Sequence, residues 1–238
     1  MPNTDDARSL LERILTSGEH SDMTICCGAY KHQVHRLIIS TQSDVLVRMC
    51  NEKFHEGKTG VNNLPDDDPE AINIMVQHLY KQDYKDTEPG LLLDDEDRAL
   101  LNLRVYAVAH KYIILSLLEC ATDEFEEWSF AAKITEPWRG VVEVVWEGNE
   151  FSALCPIIEK QIADGIDSML NENWMPFIDK GMELGRLSSA GFVRRLVEGK
   201  NRIINSLRDR EERRKTDIKK LKGKIEGYRN SIGSIVLD

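Results

Sequence analysis

The sequence predicts an α+β fold, in which a small β-sheet flanked by helices is followed by an all-α extension and a basic helical tail. Residues 23–27 are apolar and rich in β-branched side chains, and residues 30–34 alternate apolar and polar side chains. Gly28-Ala29 between them permits a tight turn, so the two segments form a hairpin. From about residue 43 onward, apolar residues recur mostly at helical spacing. The chain of 238 residues has 41% hydrophobic and 30% charged residues, which is typical of a globular protein.

A short leading helix is expected over about residues 5–16. Leu10, Leu11 and Ile14 lie on one side of it. A helix of this length is not stable alone in water, so this stripe must pack against something. One arrangement is that it folds back onto the core of its own chain.

The segment after the hairpin is expected to turn twice before a return strand at residues 60–64. Leu37-Ile38-Ile39-Ser40 is too short for a helix of its own. Ser40 or Thr41 is expected to cap a helix over about residues 43–51 by accepting a hydrogen bond from an exposed amide. The apolar side chains of that helix fall three and four residues apart, which directs them toward one core.

Three further helices are expected in the first half of the chain. The run Asp66-Asp67-Asp68 before Pro69 favours a helix N-terminus, where negative charge is stabilising, over a metal site. Residues 85–93, with Glu88-Pro89-Gly90 at their centre, are expected to form a loop. The other two helices are predicted over 95–111 and 114–131, because apolar residues recur there at helical spacing.

Several motifs in this order resemble the BTB/POZ family, over residues 21 to about 125. They are Ser21-Asp22 at a strand start, Val34-His35 at a strand end, Ser40 and Ser43 around a helix start, Phe54-x-Glu56, the segment 68–72 and Leu79-Tyr80-x3-Tyr84. The resemblance implies a BTB/POZ domain over residues 18–132, preceded by the leading helix at 1–17. It also implies protein–protein interaction without catalysis. In many members of the family a leading helix packs across the partner in a homodimer, which is the second arrangement open to the stripe of Leu10, Leu11 and Ile14.

The resemblance gives Phe54-His55-Glu56 a specific interpretation. In BTB adaptors that recruit a cullin scaffold, a hydrophobic residue, any residue and a glutamate lie in a loop at the docking surface. Phe54 would then fill an apolar pocket and Glu56 would accept hydrogen bonds. The alternative is that Phe54 packs the loop onto the core and Glu56 is a solvated charge. From this resemblance we expect a substrate adaptor for a cullin-RING ubiquitin ligase. The alternative is a self-associating scaffold or a nuclear regulatory protein with no ligase role.

Residues 133–199 are expected to form a helical extension. Helices are predicted over 138–146, 155–170 and 174–184, since isoleucines and other apolar residues recur there at helical spacing. The region resembles the C-terminal helical region that fungal BTB proteins often carry. Nothing after residue 132 resembles Kelch, MATH or zinc-finger repeats.

Residues 200–238 are predicted to form a basic helical tail with a weak heptad seam. Residues 194–230 hold fourteen Lys and Arg against six Asp and Glu, although the whole chain has a net charge of −10. The seam comprises Ile204, Leu207, Glu211, Arg214, Ile218, Leu221, Ile225, Tyr228 and Ile232. A parallel pair would oppose Arg210 with Lys215, so a lone helix or one paired with an acidic surface is expected.

The cationic surface of this tail includes Arg213, Arg214, Lys215, Lys219 and Lys220. Such a run could bind phosphates in a salt-sensitive way or serve as a nuclear import signal. Its commoner role is a solvated helix face beside an acidic body, and we do not expect nucleic-acid binding.

No catalytic, cofactor or metal site is expected. Cys26 and Cys27 are adjacent on a strand and point to opposite faces, so they cannot easily bind one ion with His32 or His35. No phosphate-binding loop is present. The polar start of the chain and the absence of a long apolar run indicate an intracellular protein, nuclear or cytoplasmic, without a membrane span.

Overall fold

The computed structural model describes residues 4–82, 95–132, 134–171 and 174–235. The loop predicted over 85–93 lies outside them. The chain divides into two compact units, Met1–Ile158 and Glu159–Asp238. In chain order, the elements are α1 (Thr4–Ser17), β1 (Met23–Cys27), β2 (Tyr30–Val34), α2 (Arg36–Ser40), α3 (Asp44–Met49), α4 (His55–Thr59), β3 (Val61–Asn63), α5 (Pro69–Lys81), α6 (Asp95–Tyr112), α7 (Leu115–Ala132), α8 (Glu136–Glu147), a 3-10 helix (Ser152–Leu154), α9 (Cys155–Asn171), α10 (Met175–Glu183) and α11 (Ala190–Ile235).

The three strands form one sheet in the order β2-β1-β3. β1 pairs antiparallel with β2, with Met23 opposite Val34 and Cys27 opposite Tyr30, which confirms the predicted hairpin. β3 pairs parallel with β1, from Thr24 opposite Val61 onward. Met23, Ile25 and Cys27 are buried and alternate with half-buried residues, so one face of β1 supplies the core.

Helix α5 is the central helix of the first unit. Its N-cap Asp68 accepts a hydrogen bond from the Ala71 amide at 2.8 Å, and Pro69 occupies the first turn. Most of its apolar side chains are buried, and it packs against α1 and α6. The helix start predicted from the acidic run is confirmed.

Asp67, just before that cap, has a role that the sequence did not predict. Its side chain is only 7% exposed and binds Lys111 Nζ at 2.7 Å. It also accepts a hydrogen bond from the Tyr112 hydroxyl at 2.9 Å. Burial and this bond to a carboxylate raise the pKa of Tyr112. Asp67 therefore ties the N-terminal approach of α5 to the end of α6.

The expectation that residues 37–40 are too short for a helix was wrong, because the five-residue helix α2 forms there. The side chain of Asp22 accepts a hydrogen bond from the Arg36 amide at 2.8 Å, which satisfies one of the exposed amides of a helix start. Ile39 is fully buried and anchors the single turn.

The predicted cap of the following helix was also misplaced. Ser43, rather than Ser40 or Thr41, caps α3 by accepting hydrogen bonds from the amides of Val45 and Leu46. Its hydroxyl in turn donates to the carbonyl of Tyr112. This contact with α6 fixes the start of α3.

His35 and Tyr80 join the end of β2 to the core. The Tyr80 oxygen lies 2.8 Å from both the backbone nitrogen and Nδ1 of His35, and Nε2 of His35 lies 2.8 Å from the carbonyl oxygen of Glu19. That carbonyl can only accept, so Nε2 carries the proton and Nδ1 accepts from the Tyr80 hydroxyl. Burial raises the pKa of Tyr80 to about 12, which keeps this hydroxyl protonated.

Helices α6, α7 and α8 complete the first unit, and α6 packs on both of the others. The helices predicted over 95–111 and 114–131 are confirmed within one residue. Trp138 is fully buried in α8 and donates from Nε1 to the Ser129 hydroxyl of α7 at 2.9 Å. This buried bond fixes the packing of α8 on α7.

The second unit contains the larger part of α9, then α10 and α11. Its buried core includes Ile162, Ile166, Phe177, Phe192 and Leu196. Helix α11 lies so close to α9 that a Cβ atom at Gly199 would come 3.1 Å from Leu170 Cδ1. Two ion pairs, Arg195 with Asp164 and Arg202 with Asp167, join the same two helices.

Helix α11 continues without a break across residue 200, where the tail was predicted to begin as a separate segment. Beyond Ile203, the side chains described up to residue 226 are exposed. In the part of the chain that the structure describes, no helix is long and apolar enough to cross a membrane.

The hydroxyl of Tyr80 is predicted to stabilise the first unit measurably. Tyr80→Phe removes the partner of the His35 amide and ring, and should lower the free energy of unfolding by about 1–3 kcal/mol. The measurement is urea denaturation at neutral pH. Tyr30→Phe deletes the same atom at a partly exposed position and should change stability by less than about 0.5 kcal/mol. Equal effects of the two substitutions would contradict this role.

Candidate functional site

The loop between α3 and α4 is held by one arginine. The Arg36 guanidinium donates to the carbonyl of Cys50 at 3.1 Å and to that of Gly57 at 2.6 Å. Its Nε donates to the backbone carbonyl of Asp22 at 3.3 Å. A planar guanidinium with several donors can hold three carbonyls at once, which a lysine cannot do in the same geometry. Arg36 therefore binds the chain on both sides of Phe54, at Cys50 where the loop begins and at Gly57 in α4, and holds both against the start of β1.

A close backbone approach tightens this loop further. A Cβ atom at Gly57 would lie 2.0 Å from the carbonyl oxygen of Asn51, so only glycine fits there without a shift. The Asn51 carbonyl also accepts a hydrogen bond from the Phe54 amide at 3.1 Å. These backbone contacts hold Asn51 close to Phe54 and Gly57, so the loop is compact.

Phe54 and Glu56 lie at the outer end of this fixed loop. Phe54 is the N-cap residue of α4 in an extended conformation, and it is 54% exposed. Glu56 is exposed in the first turn of α4. Among the residues that the structure describes, no hydrogen bond or ion pair engages its carboxylate. The site thus presents an aromatic side chain and an unengaged carboxylate to solvent.

A second exposed apolar region lies at the turn between α6 and α7. Ile113 and Leu115 are 52% and 65% exposed, whereas Ile114 between them is buried. Ile113 has a φ of 54°, a left-handed conformation that is strained for a β-branched residue. A groove lined by Ile113, Leu115 and the turn from Ser40 to Asp44 places this region beside the α2–α3 turn.

The cysteines and histidines singled out in the sequence do not gather into one site. Cys27 is buried, and its thiol donates to the carbonyl of Leu64 at 3.1 Å. Burial raises the pKa of this thiol, so it stays protonated. His35 is engaged by Tyr80 and Glu19. No cluster of His, Cys, Asp and Glu that could hold a metal ion occurs among the described residues.

His32 is the exception among these side chains, because its buried Nε2 has no hydrogen-bond partner. The ring stacks on Tyr30, with centroids 6.0 Å apart. Burial lowers the pKa of His32, since the charged imidazolium loses its hydration.

The leading helix α1 packs against α5 and β2 of its own chain. Leu11 and Ile14 are partly buried there, Leu10 is 48% exposed, and Glu12 pairs with Lys81 at 3.0 Å. A role of these residues in a dimer stays a prediction.

The basic residues of the tail are all exposed on α11. Arg213, Arg214, Lys219 and Lys220 belong to its outer half, and Lys215 bridges Glu211 and Glu212 at 3.1 and 3.0 Å. They belong to the second unit, whereas the Phe54 loop belongs to the first.

The first unit is thus a small sheet covered by helices, with a loop that exposes an aromatic side chain. The chain belongs to the BTB/POZ domain family, whose model matches residues 11–129. This confirms the resemblance to that family found in the sequence. BTB/POZ domains mediate protein–protein interactions. A comparison with curated proteins gave no match.

Arg36 was not identified from the sequence as part of the site. Its acceptors lie at residues 22, 50 and 57, and no local pattern connects these positions. An arginine directly after Val34-His35 was visible, but only the folded chain shows which carbonyls it binds.

The hydrogen bonds of Arg36 to Asp22, Cys50 and Gly57 are predicted to control the order of the loop. Arg36→Lys keeps the charge and loses the multiple donors, so amides of α4 should exchange with deuterium about tenfold faster, a loss of roughly 1.4 kcal/mol in local stability. The amides to follow are those of Lys58 and Gly60, which bond to Phe54 and Glu56. Arg48→Lys, on the exposed surface of α3, is the matched control. If the exchange rates in Arg36→Lys equal those of the parent protein, Arg36 does not control the order of the loop.

His32 is predicted to make stability fall on acidification. Because its pKa is lowered in the folded chain, the unfolded chain binds the proton first as pH falls through about 6.5, and this favours unfolding. His32→Phe should remove this contribution. The free energy of unfolding of the variant, relative to that of the parent protein, should therefore increase as the pH is lowered from about 7.5 to about 5.5. Denaturant titrations at several pH values measure this. His55→Phe, at an exposed histidine, is the matched control. A pH profile of His32→Phe that runs parallel to that of the parent protein would disprove the assignment.

Proposed function

We propose that this protein is a substrate adaptor that recruits a cullin scaffold to form a ubiquitin ligase, with Phe54 and Glu56 as the docking residues. The observation that carries the proposal is the exposure of Phe54 on a loop that Arg36 binds on both sides of it. An aromatic residue that is held in place and already exposed loses little conformational entropy when it enters a pocket. Such residues dominate the binding energy of interfaces.

Glu56 supplies the polar part of the same contact. Its carboxylate lies two residues after Phe54 in the first turn of α4, exposed to solvent. It can accept hydrogen bonds from a partner without first breaking a bond within the described residues. A charge-assisted bond of this kind adds orientation to the apolar anchor.

The turn between α6 and α7 extends the docking surface in this proposal. Ile113 and Leu115 expose apolar side chains beside the α2–α3 turn, and Val47 on α3 is 45% exposed. An interface needs several such contacts around its anchor to exclude water. The strained conformation of Ile113 supports a binding role, because strain of this kind is commonly kept at functional positions. The helices of the second unit would then bind the substrate.

A self-associating scaffold without a ligase is the alternative, favoured by the exposure of Leu10 on α1. Helix α1 is amphipathic, and about half of the Leu10 side chain remains exposed within the described chain. The calorimetric test below separates the two functions, because a scaffold of this kind would give no heat with a cullin.

The proposal predicts that two side chains control binding to a cullin. In calorimetric titration of the whole chain with a cullin N-terminal domain, Phe54→Ala/Glu56→Ala should weaken binding about thirtyfold or more, as expected when interface anchors worth about 2 kcal/mol or more are lost. Phe130→Ala/Glu119→Ala is the matched control, because it removes another exposed Phe and Glu, both from α7. Far-ultraviolet circular dichroism confirms that each variant is folded.

Two outcomes would reject the adaptor function. One is the absence of binding by the folded parent protein, which would favour the scaffold. The other is binding that both double variants weaken equally, which would mean that Phe54 and Glu56 are not the anchor.

A further inference from the structure

The outer half of α11 exposes a regular apolar seam. Ile204, Leu207, Ile218, Leu221 and Ile225 are between 44% and 65% exposed, and they follow alternating spacings of three and four residues, with Glu211 and Arg214 at the two intervening positions. The helix packs on its own unit through Phe192, Leu196, Gly199 and Ile203, whose mean direction lies about 60° around the helix from that of the seam. Within the described residues, the seam is uncovered.

We propose that this seam pairs with the seam of a second copy of the chain in an antiparallel orientation. A two-fold symmetric pair places residue i against residue j and residue j against residue i. When the midpoint lies between Glu212 and Arg213, Glu211 of each copy faces Arg214 of the other. The two charged positions that interrupt the seam then neutralise each other.

The same register matches the apolar positions. Leu207 faces Ile218 of the second copy, and Ile204 faces its Leu221; symmetry repeats both contacts. Four apolar layers therefore enclose two ion-paired layers along about 26 Å of helix. One turn further out, Ile225 faces Lys200, whose methylene groups can cover it while its ammonium stays in water.

A parallel pair lacks this match. It would place Glu211 against Glu211 and Arg214 against Arg214 inside the seam, and like charges in a seam strongly oppose pairing. At the edges, it would also place Arg210 against Lys215. The alternation of the seam is thus compatible with both orientations, but its charges select the antiparallel one.

The positions that flank the seam in the antiparallel pair make both attractive and repulsive contacts. Arg210 faces Asp217 of the second copy, and this attractive contact occurs twice. Arg208 faces Lys215, which is repulsive, but Lys215 is already bound to Glu211 and Glu212 of its own helix. The net edge contribution is therefore small, and the apolar layers with the central ion pairs decide the orientation.

A second copy fits the seam better than an acidic partner does. Residues 204–226 carry nine basic and five acidic side chains, so a polyanion would be attracted, but it would leave the apolar seam exposed. Only an occupant with apolar residues on both sides of a central charge pair covers the whole seam. The chain itself has this pattern.

The test is a charge-reversal series followed by sedimentation velocity of the whole chain over a roughly hundredfold concentration range, at physiological salt, where the Debye length is about 8 Å. Glu211→Arg and Arg214→Glu each create two like-charge contacts in the symmetric pair. Each should therefore lower the association constant roughly tenfold or more. Asp209→Arg and Arg213→Glu make the same charge changes outside the seam and should have little effect.

Two further samples identify the contact as intermolecular. The double variant Glu211→Arg/Arg214→Glu should restore association, because it restores opposite charges across the pair. An equimolar mixture of the two single variants should also associate, although neither does so alone. Circular dichroism excludes a loss of helix as the cause, and Leu207→Lys/Ile218→Lys reports any association that does not involve α11.

Three outcomes would overturn the proposal. The first is a parent protein whose mass distribution equals that of Leu207→Lys/Ile218→Lys at every concentration. The second is that Glu211→Arg and Arg214→Glu each associate as strongly as the parent protein, which is the result expected if the helices pair in parallel. The third is that the protein stays monomeric and binds a short DNA duplex when one is added, which would make the tail a nucleic-acid-binding surface.

Discussion

The hydrogen bonds between Arg36 and the backbone around it are the constraint on which the site depends. One side chain joins the start of β1, the start of α2 and the chain on both sides of Phe54. Asp22 completes the arrangement by binding the Arg36 amide. Because three carbonyls share one guanidinium, the sheet, a one-turn helix and the exposed loop form a single local unit. The loop is consequently ordered although few of its side chains are buried.

Much of the fold could be predicted because its helices are long and periodic. Helices α6, α7 and α8 follow apolar spacings that are visible in the sequence, and the hairpin follows from alternation around Gly28-Ala29. Helix α2 could not be predicted, since its stability comes from tertiary contacts, the hydrogen bond to Asp22 and the burial of Ile39, rather than from the helix propensity of its five residues. The bonds of Asp67 to Lys111 and Tyr112, made 44 and 45 residues away, were equally invisible.

The candidate site was only partly predictable for the same reason. The pattern Phe54-x-Glu56 could be found by its resemblance to a family motif, but a three-residue pattern does not tell whether an aromatic residue is exposed. That depends on Arg36 and on the close approach of Gly57 to Asn51, which are tertiary contacts. In the tail, the heptad spacing was visible, whereas the uncovered state of the seam required the structure.

Helix α11 contains 46 residues and is therefore about 69 Å long. If two copies join along it, the assembly carries two Phe54 loops and becomes bivalent. A partner that presents two docking surfaces would then be held by avidity: once one loop is bound, the second meets its surface at an effective concentration set by the geometry of the pair. A weak single contact would be sufficient for long residence, and dilution of the protein would release the partner by separating the helices.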